Sequence, residues 1–390
     1  MTSNDIWPPA PVIRGLRMAV LPHVLKFKTP AATSRDTLKE KPSWFLVAED
    51  KQGRIGVGEC SLILGLSLET SEMALNQLNI VAKSGCLDVM AVPASCPAVR
   101  FAVETAAWDL SKGGRGTIAE SPFSRGERGI DINGLVWMGS VPNMLDQFDD
   151  LVQRGFTTLK CKVGAHDWTQ ELQMLKAVRD RCPANEFTLR VDANGAFHNL
   201  DAKGVHSRLE ALADLNVHSI EQPLLPQDLD RLAALCEENI VPIALDESLI
   251  GVHALTERMR LLDHMRPQYI VLKPSLIGGL DSATIWSRLA EQRDMDWWVT
   301  SALESNIGLQ AIAQWAAVQP ALNPENSTMP QGLGTGGLFT NNIPGNLAIE
   351  RGTLITASQR ARDESTWRQG LAGAVRHLPG CGCNVKHDSP

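Results

Sequence analysis

Thr158-Leu159-Lys160-Cys161-Lys162-Val163 places two lysines two residues apart in a run that otherwise reads as a buried strand. A strand turns successive side chains to opposite faces, so Lys160 and Lys162 share one face and Cys161 takes the other. Two ammoniums on one side of a strand repel each other and are expensive to bury. The pair therefore implies a compensating site: carboxylates, a divalent cation and an anionic substrate, with one lysine acting as a base.

Outward from this run the chain alternates. Short apolar strand candidates lie at 132–137, 157–163, 187–191, 217–220, 243–245, 269–272 and 297–300, with a weaker eighth near 329–333. Helical stretches fall between them, such as 169–181, 202–215, 229–237, 282–291 and 309–317. Repeated strand-then-helix units make a parallel sheet, and about eight of them over about 200 residues favour a closed barrel over an open doubly wound sheet. No Gly-x-Gly-x-x-Gly follows the first strand, which argues against a dinucleotide fold. The glycine-dense stretch Gly332-Leu-Gly-Thr-Gly-Gly337 comes late and reads as a tight loop over a substrate.

Upstream, residues 14–64 read as antiparallel strands, including Arg17–Leu21 and Ser43–Ala48, with a long polar loop from Lys28 to Lys41. Residues 70–112 take helical spacing, with Val99, Ala102, Val103, Ala106, Ala107 and Leu110 on one stripe. Gly113-Gly114 ends that helix, and 115–129 reads as a polar linker. The expected division is an α+β capping domain at 1–130, a barrel at 131–340, and a tail at 341–390. The tail, which holds Leu347–Glu350 and Gly352–Ile355, would return to the cap as an added strand or helix. The fold class is thus α/β, a modified (β/α)7β TIM-type barrel carrying an α+β cap.

Bulk properties narrow the function. The chain has 390 residues, 44% hydrophobic, with a net charge of −7, which argues against nucleic-acid and anionic-membrane partners. No apolar run reaches the roughly 18 residues of a membrane span, and Met1–Pro11 lacks a signal pattern. The expectation is a cytoplasmic protein with reduced cysteines, including Cys381 and Cys383 in the polar tail. Its partner would be a small-molecule carboxylate, and its oligomeric state is open.

Active residues of such a barrel sit at the C-terminal ends of its strands. There the sequence offers Lys160 and Lys162, then Arg190-Val-Asp192-Ala-Asn194, Glu221-Gln-Pro223, Asp246-Glu247-Ser248, Lys273-Pro274 and Ser301. Asp192, Glu221 and Asp246 are each one unit apart and converge at one height. Oxygen ligands without His or Cys select a hard cation such as Mg2+ and disfavour zinc. Flanking lysines suit proton abstraction next to a carboxylate, the metal stabilising the developing enediolate charge. The base must be neutral, well below the free lysine value of about 10.4; Lys160 and the metal would push Lys162 that way. Singly, an acid at a strand end is more often a helix cap or a solvated charge; charged residues ending five consecutive strands do not read as chance. Glu247 points away from Asp246 and supports the site from behind. Arg190 shares a face with Asp192, and both a substrate contact and a structural ion pair are open to it.

Lys160-x-Lys162, Asp192-Ala-Asn194, Glu221-Gln-Pro223, Asp246-Glu-Ser248 and Lys273-Pro274 together resemble the enolase superfamily in its muconate cycloisomerase-like subgroup. Within it, Thr33-Ser-Arg35, Gly58-Glu-Cys-Ser61, Ser301-Ala-Leu-Glu-Ser-Asn306 and Gln331-Gly-Leu-Gly-Thr335 are most similar to the o-succinylbenzoate synthase family. The resemblance implies Mg2+, with Mn2+ as a substitute, on Asp192, Glu221 and Asp246. It implies dehydration of 2-succinyl-6-hydroxy-2,4-cyclohexadiene-1-carboxylate in menaquinone biosynthesis. Lys162 would take the ring proton and protonate the leaving hydroxyl, and Lys273 would stabilise the ring anion. Arg190, Asn194 and Glu247 would support the site or touch substrate. Ser301 and the loops holding Thr33, Arg35 and Glu59–Ser61 would surround the succinyl tail. The alternatives are N-acylamino acid racemisation, with both lysines as bases, and muconate-type cycloisomerisation. Dipeptide epimerases of the subgroup place an Asp-x-Asp near the eighth strand, where this chain has Gly332-Leu-Gly-Thr-Gly.

Overall fold

Glycine at 56 and 58 lets a helix lie directly on a strand. A Cβ at Gly58 would stand 1.8 Å from Ala102 O, and one at Gly56 2.4 Å from Ala106 O. In this computed structural model, which describes residues 7–32, 37–319, 329–357 and 361–376, that contact forms the centre of the cap. Strands β1 (Arg17–Ala32), β2 (Thr37–Glu49) and β3 (Ile55–Ser61) make an antiparallel sheet in that order. Helices α1 (Ser71–Ser84) and α2 (Pro97–Ser111) cover one face. Thr70 caps α1 by accepting from the Met73 N–H, and Gly85 ends it in the left-handed region at φ 65°.

The polar loop expected from Lys28 to Lys41 is mostly strand. After a register shift beyond Lys26, β1 and β2 pair again at Ala31–Leu38 and Ala32–Thr37, and the Lys28 N–H donates to Leu338 O at 2.8 Å. Residues 28–30 are exposed, so no apolar alternation marks the strand. Thr33 and Arg35 lie outside the described residues. The expected linker at 115–129 is packed: Ile118, Ala119 and Phe123 are buried with the barrel core. The Ile118 and Ala119 N–H groups donate to Gln314 Oε1 at 2.7 and 3.2 Å.

The barrel follows. Its strands are β4 (Gly134–Val136), β5 (Thr158–Lys162), β6 (Thr188–Asp192), β7 (Ser219–Glu221), β8 (Ile243–Leu245), β9 (Tyr269–Leu272) and β10 (Asp296–Val299). All pair in parallel with their sequence neighbours. The helices between them are α3 (Val141–Gln153), α4 (Trp168–Arg181), α5 (Ala202–Asp214), α6 (Leu229–Glu238), α7 (Leu255–Met265), the short α8 (Pro274–Ile277), α9 (Leu280–Glu291) and α10 (Asn306–Ala317). The weak eighth strand is a two-residue stave. Gln331 bridges Ile132 and Gly332 bridges Thr300, both in parallel. The Gly332 N–H donates to Val299 O at 2.8 Å and the Asn133 N–H to Gln331 O at 2.9 Å. Those bonds close the (β/α)7β ring.

Of the strand or helix expected to return to the cap, the tail supplies the helix. β11 (Leu347–Glu350) and β12 (Thr353–Thr356) form a hairpin that pairs with residues 130–131 at the barrel entrance, not with the cap sheet. Helix α11 (Ala361–Arg376) makes the return. Its Trp367 stands edge-on to Phe45 at 5.4 Å, Leu371 and Val375 join the apolar cluster of Ala19, Phe45 and Val47, and Arg368 donates to Asp109 at 2.6 Å. Cys381 and Cys383 lie outside the described residues.

Two buried glutamates join cap to barrel. Glu59 of β3 accepts from the Ser305 and Gly308 N–H groups at 2.8 and 2.9 Å, at the start of α10. Glu104 of α2 accepts from the Leu280 and Asp281 N–H groups at 2.6 and 2.9 Å, at the start of α9. Each side chain accepts from amides that a helix leaves unpaired at its N-terminus. Among the described residues no helix is long and apolar enough to cross a membrane.

Candidate active site

Register places the charged groups. Lys162, Asp192 and Glu221 are opposite one another on β5, β6 and β7. Asp246 follows β8 and Lys273 follows β9. All are at the C-terminal rim, and a cavity of about 750 Å3 opens there. Lys160, Lys162, Asp192, Asn194, Lys273 and Ser301 line its polar side. Leu38, Ile63 and Leu64 from the cap, with Trp137, Leu303 and Leu338 from the barrel, line its apolar side.

Lys160 reaches between two acids, donating to Glu221 and standing 3.0 Å from Asp192. Burial penalises its ammonium, but Asp192, Glu221 and Asp246 outweigh that penalty and raise its pKa above the ordinary value. Lys162 stands 3.3 Å from Asp192 and donates to Asn194 Oδ1. Asn194, left-handed at φ 43°, donates in turn to Glu247 Oε1 at 3.0 Å. Glu247 thus holds the residue that holds Lys162. Lys273 donates to Asp246; burial opposes its charge, yet Asp246 and Glu247 raise its pKa.

The carboxylates answer in kind. Burial works against Asp192, but Lys160, Lys162 and Lys273 hold it well below the usual carboxylate range. Burial lifts Glu221 to about 7, with Lys160 opposing and Asp192 and Asp246 adding to the rise. Its Oε1 is buried without a hydrogen-bond partner, an arrangement that a cation would relieve. Among the described residues no three acidic, His or Cys side chains are gathered closely enough to hold a metal ion as they stand, because lysine ammoniums reach between these acids. The donor set itself, three carboxylates on adjacent staves with one unpaired oxygen, suits Mg2+.

Arg190, to which a substrate contact and a structural role were both open, takes the structural one. It is fully buried in the barrel interior, its guanidinium 4.2 Å over the Trp298 ring and donating to Pro330 O at 2.9 Å. It sits two residues before Asp192 on β6 and does not line the cavity. Glu59–Ser61 does not surround a substrate either: Glu59 caps α10, and Ser61 is buried against Ser43 and Lys41. Residues 63, 64 and 66, just past that strand, reach the cavity instead. Ser301 lines the cavity and shares a hydrogen bond with Thr335 at 2.6 Å. The lining residues Lys28, Leu38 and Leu303 were missed, since nothing local in the sequence says which cap residue meets which barrel turn.

Residues 143–388 match the family described as Enolase C-terminal domain-like. An o-succinylbenzoate synthase of Desulfotalea psychrophila is 42% identical, over 87% of this chain and 99% of its own length. The chain belongs to the enolase superfamily. The crystal structure of MenC from Desulfotalea psychrophila superposes with a TM-score of 0.77 at 38% identity, covering 88% of this chain and 100% of the other. A dipeptide epimerase from Enterococcus faecalis, solved with Mg and the dipeptide L-Leu-L-Tyr, has a TM-score of 0.75 at 22% identity over 88% and 96% of the two chains. That likeness carries the enolase-superfamily fold alone. The superfamily expected from the five strand-end motifs is the one found, and it makes the chain an enzyme.

Proposed function

We propose that the chain is an o-succinylbenzoate synthase, a carbon–oxygen lyase that dehydrates 2-succinyl-6-hydroxy-2,4-cyclohexadiene-1-carboxylate to o-succinylbenzoate. The observation that carries this reading is the 42% identity to the Desulfotalea psychrophila enzyme over 99% of that enzyme's length. The cavity, lined by lysines 160, 162 and 273 and by apolar side chains from cap and barrel, suits a carboxylate on a carbon-rich ring. Asp192, Glu221 and Asp246 would hold Mg2+, which supplies positive charge to stabilise the ionised substrate carboxylate.

The chain's own groups would do the rest. Lys162 Nζ, held by Asn194 and Asp192, takes the ring proton next to the carboxylate, and the C–H electron pair enters the ring system. The carbon–oxygen bond to the neighbouring hydroxyl then breaks, and Lys162 returns its proton so that water leaves and the ring becomes aromatic. Lys273, an ammonium beside Asp246, stabilises the ring anion from the other side.

Direct assay of this dehydration with Mg2+ tests the reading; a purified protein that binds Mg2+ and leaves the diene unchanged overturns it. Racemisation of N-acylamino acids is the second reading, favoured by the two lysines on opposed staves. Exchange of the α-proton of N-succinyl amino acids in D2O would report it.

A further inference from the structure

Between cap and barrel lies a buried polar cluster that the proposed chemistry does not use. Lys41, 1% exposed in β2, donates to Ser61 Oγ of β3, which shares a hydrogen bond with Ser43 at 2.8 Å. Across the junction, Glu304 is fully buried and accepts from Ser275 Oγ and from the Ala302 N–H, the latter at 2.8 Å. The Lys41 ammonium lies in the field of Glu304 and Glu59.

Both barrel turns in this cluster serve the cavity. Ser275 sits in α8, which begins directly after Lys273. Leu303 lines the apolar wall with its backbone left-handed at φ 63°. That conformation is unfavourable for a non-glycine residue and persists only where the surroundings fix it. Here Glu304 fixes the Ala302 N–H on one side and Glu59 fixes the Ser305 N–H on the other. An apolar junction would join the two parts about as stably as these buried hydrogen bonds do. Buried polar groups at this place therefore point to position rather than cohesion.

We propose that Glu304 is a positioning residue: through Ser275 and the 302–305 turn it fixes Lys273 and Leu303 where Glu59 of the cap sheet holds Ser305, so that cap and barrel share one geometry at the cavity. This rests on the reading that Lys273 acts on the substrate.

Two variants of the full chain test it, Glu304→Gln and Ser275→Ala, assayed for dehydration with Mg2+. Ser275→Ala cuts only the link to the Lys273 turn. It should lower kcat by about tenfold while KM stays within about twofold, as expected for a group displaced by a fraction of an ångström. The Ser275→Ala/Glu304→Gln double variant should be no slower than Glu304→Gln alone, because both act through one linkage. Parental kcat in Ser275→Ala, or effects that multiply, overturns the proposal; Ser275→Ala decides the matter if Glu304→Gln does not fold. Segment-resolved hydrogen exchange gives a readout independent of turnover. Glu304→Gln and Ser275→Ala should speed exchange across 273–279, and unchanged exchange there refutes the linkage even if the parent proves inactive as a dehydratase.

Discussion

Glu104→Gln probes the cap–barrel junction through pH. Burial lifts the Glu104 carboxyl from its ordinary 4.5 to about 8, although it accepts from two amides at the start of α9. A folded pKa above the unfolded one means that the folded protein keeps the proton longer. Its stabilising effect is therefore complete below about pH 4.5 and is lost as pH rises through about 8. At about 1.4 kcal/mol per pH unit, the interval from 4.5 to about 8 amounts to roughly 5 kcal/mol, with about two-thirds already lost at pH 7. Glutamine does not titrate, but it can accept from only one of the Leu280 and Asp281 amides, which costs about 1–3 kcal/mol. The variant should thus be less stable than the parent at pH 5.5 and equal or more stable at pH 9. Glu69 and Glu221, both lifted to about 7, titrate in both proteins and cancel in the comparison. Urea unfolding of parent and variant at pH 5.5, 7 and 9 measures the difference. A gap between the two that does not change with pH refutes the assignment of a neutral, buried Glu104.

The site gives further expectations. Lys162→Ala should cut turnover by about 10²–10⁴-fold, the usual contribution of a general base, with Mg2+ binding retained in a calorimetric titration. Lys273→Ala should slow dehydration without redirecting it, whereas in a racemase it would block exchange from one enantiomer only, as read by NMR in D2O. Lys160→Met leaves Glu221 buried without its ammonium and Asp192 paired with Lys162 alone, and should destabilise the metal-free protein by about 3–5 kcal/mol, seen as a drop in Tm in chelator. Chelation should abolish parental turnover and Mg2+ restore it, while saturating Mg2+ at about 100 times Kd should add about 2.7 kcal/mol of stability.

Much of the barrel was legible because each stave advertises itself by a short apolar run, and Ile243–Leu245 and Tyr269–Leu272 form where that pattern puts them. The carboxylates and lysines could be aligned because one βα unit separates each from the next. The cap was harder. β1 and β2 extend through a polar stretch whose strand character comes from pairing and from Phe339, far away in sequence. The family resemblance placed Glu59 at the cavity, when its partners are the amides opening α10. Arg190 illustrates the limit of facing arguments: alternation gives the side of a strand, not the depth within a barrel. The left-handed turn at Leu303 leaves no local signature, because leucine normally avoids it.

The circular order of the staves has a stereochemical consequence. In a ring of eight, the second and sixth stand half a turn apart, so Lys162 and Lys273 reach a common interior from opposite walls. A flat, delocalised anion lying between them has two faces, and each face meets a different amine. The product of dehydration is achiral, so this handedness leaves no trace in it. A substrate with a stereocentre at the same carbon would meet a left and a right hand already in place, and reshaping the cap walls alone would decide whether both are used.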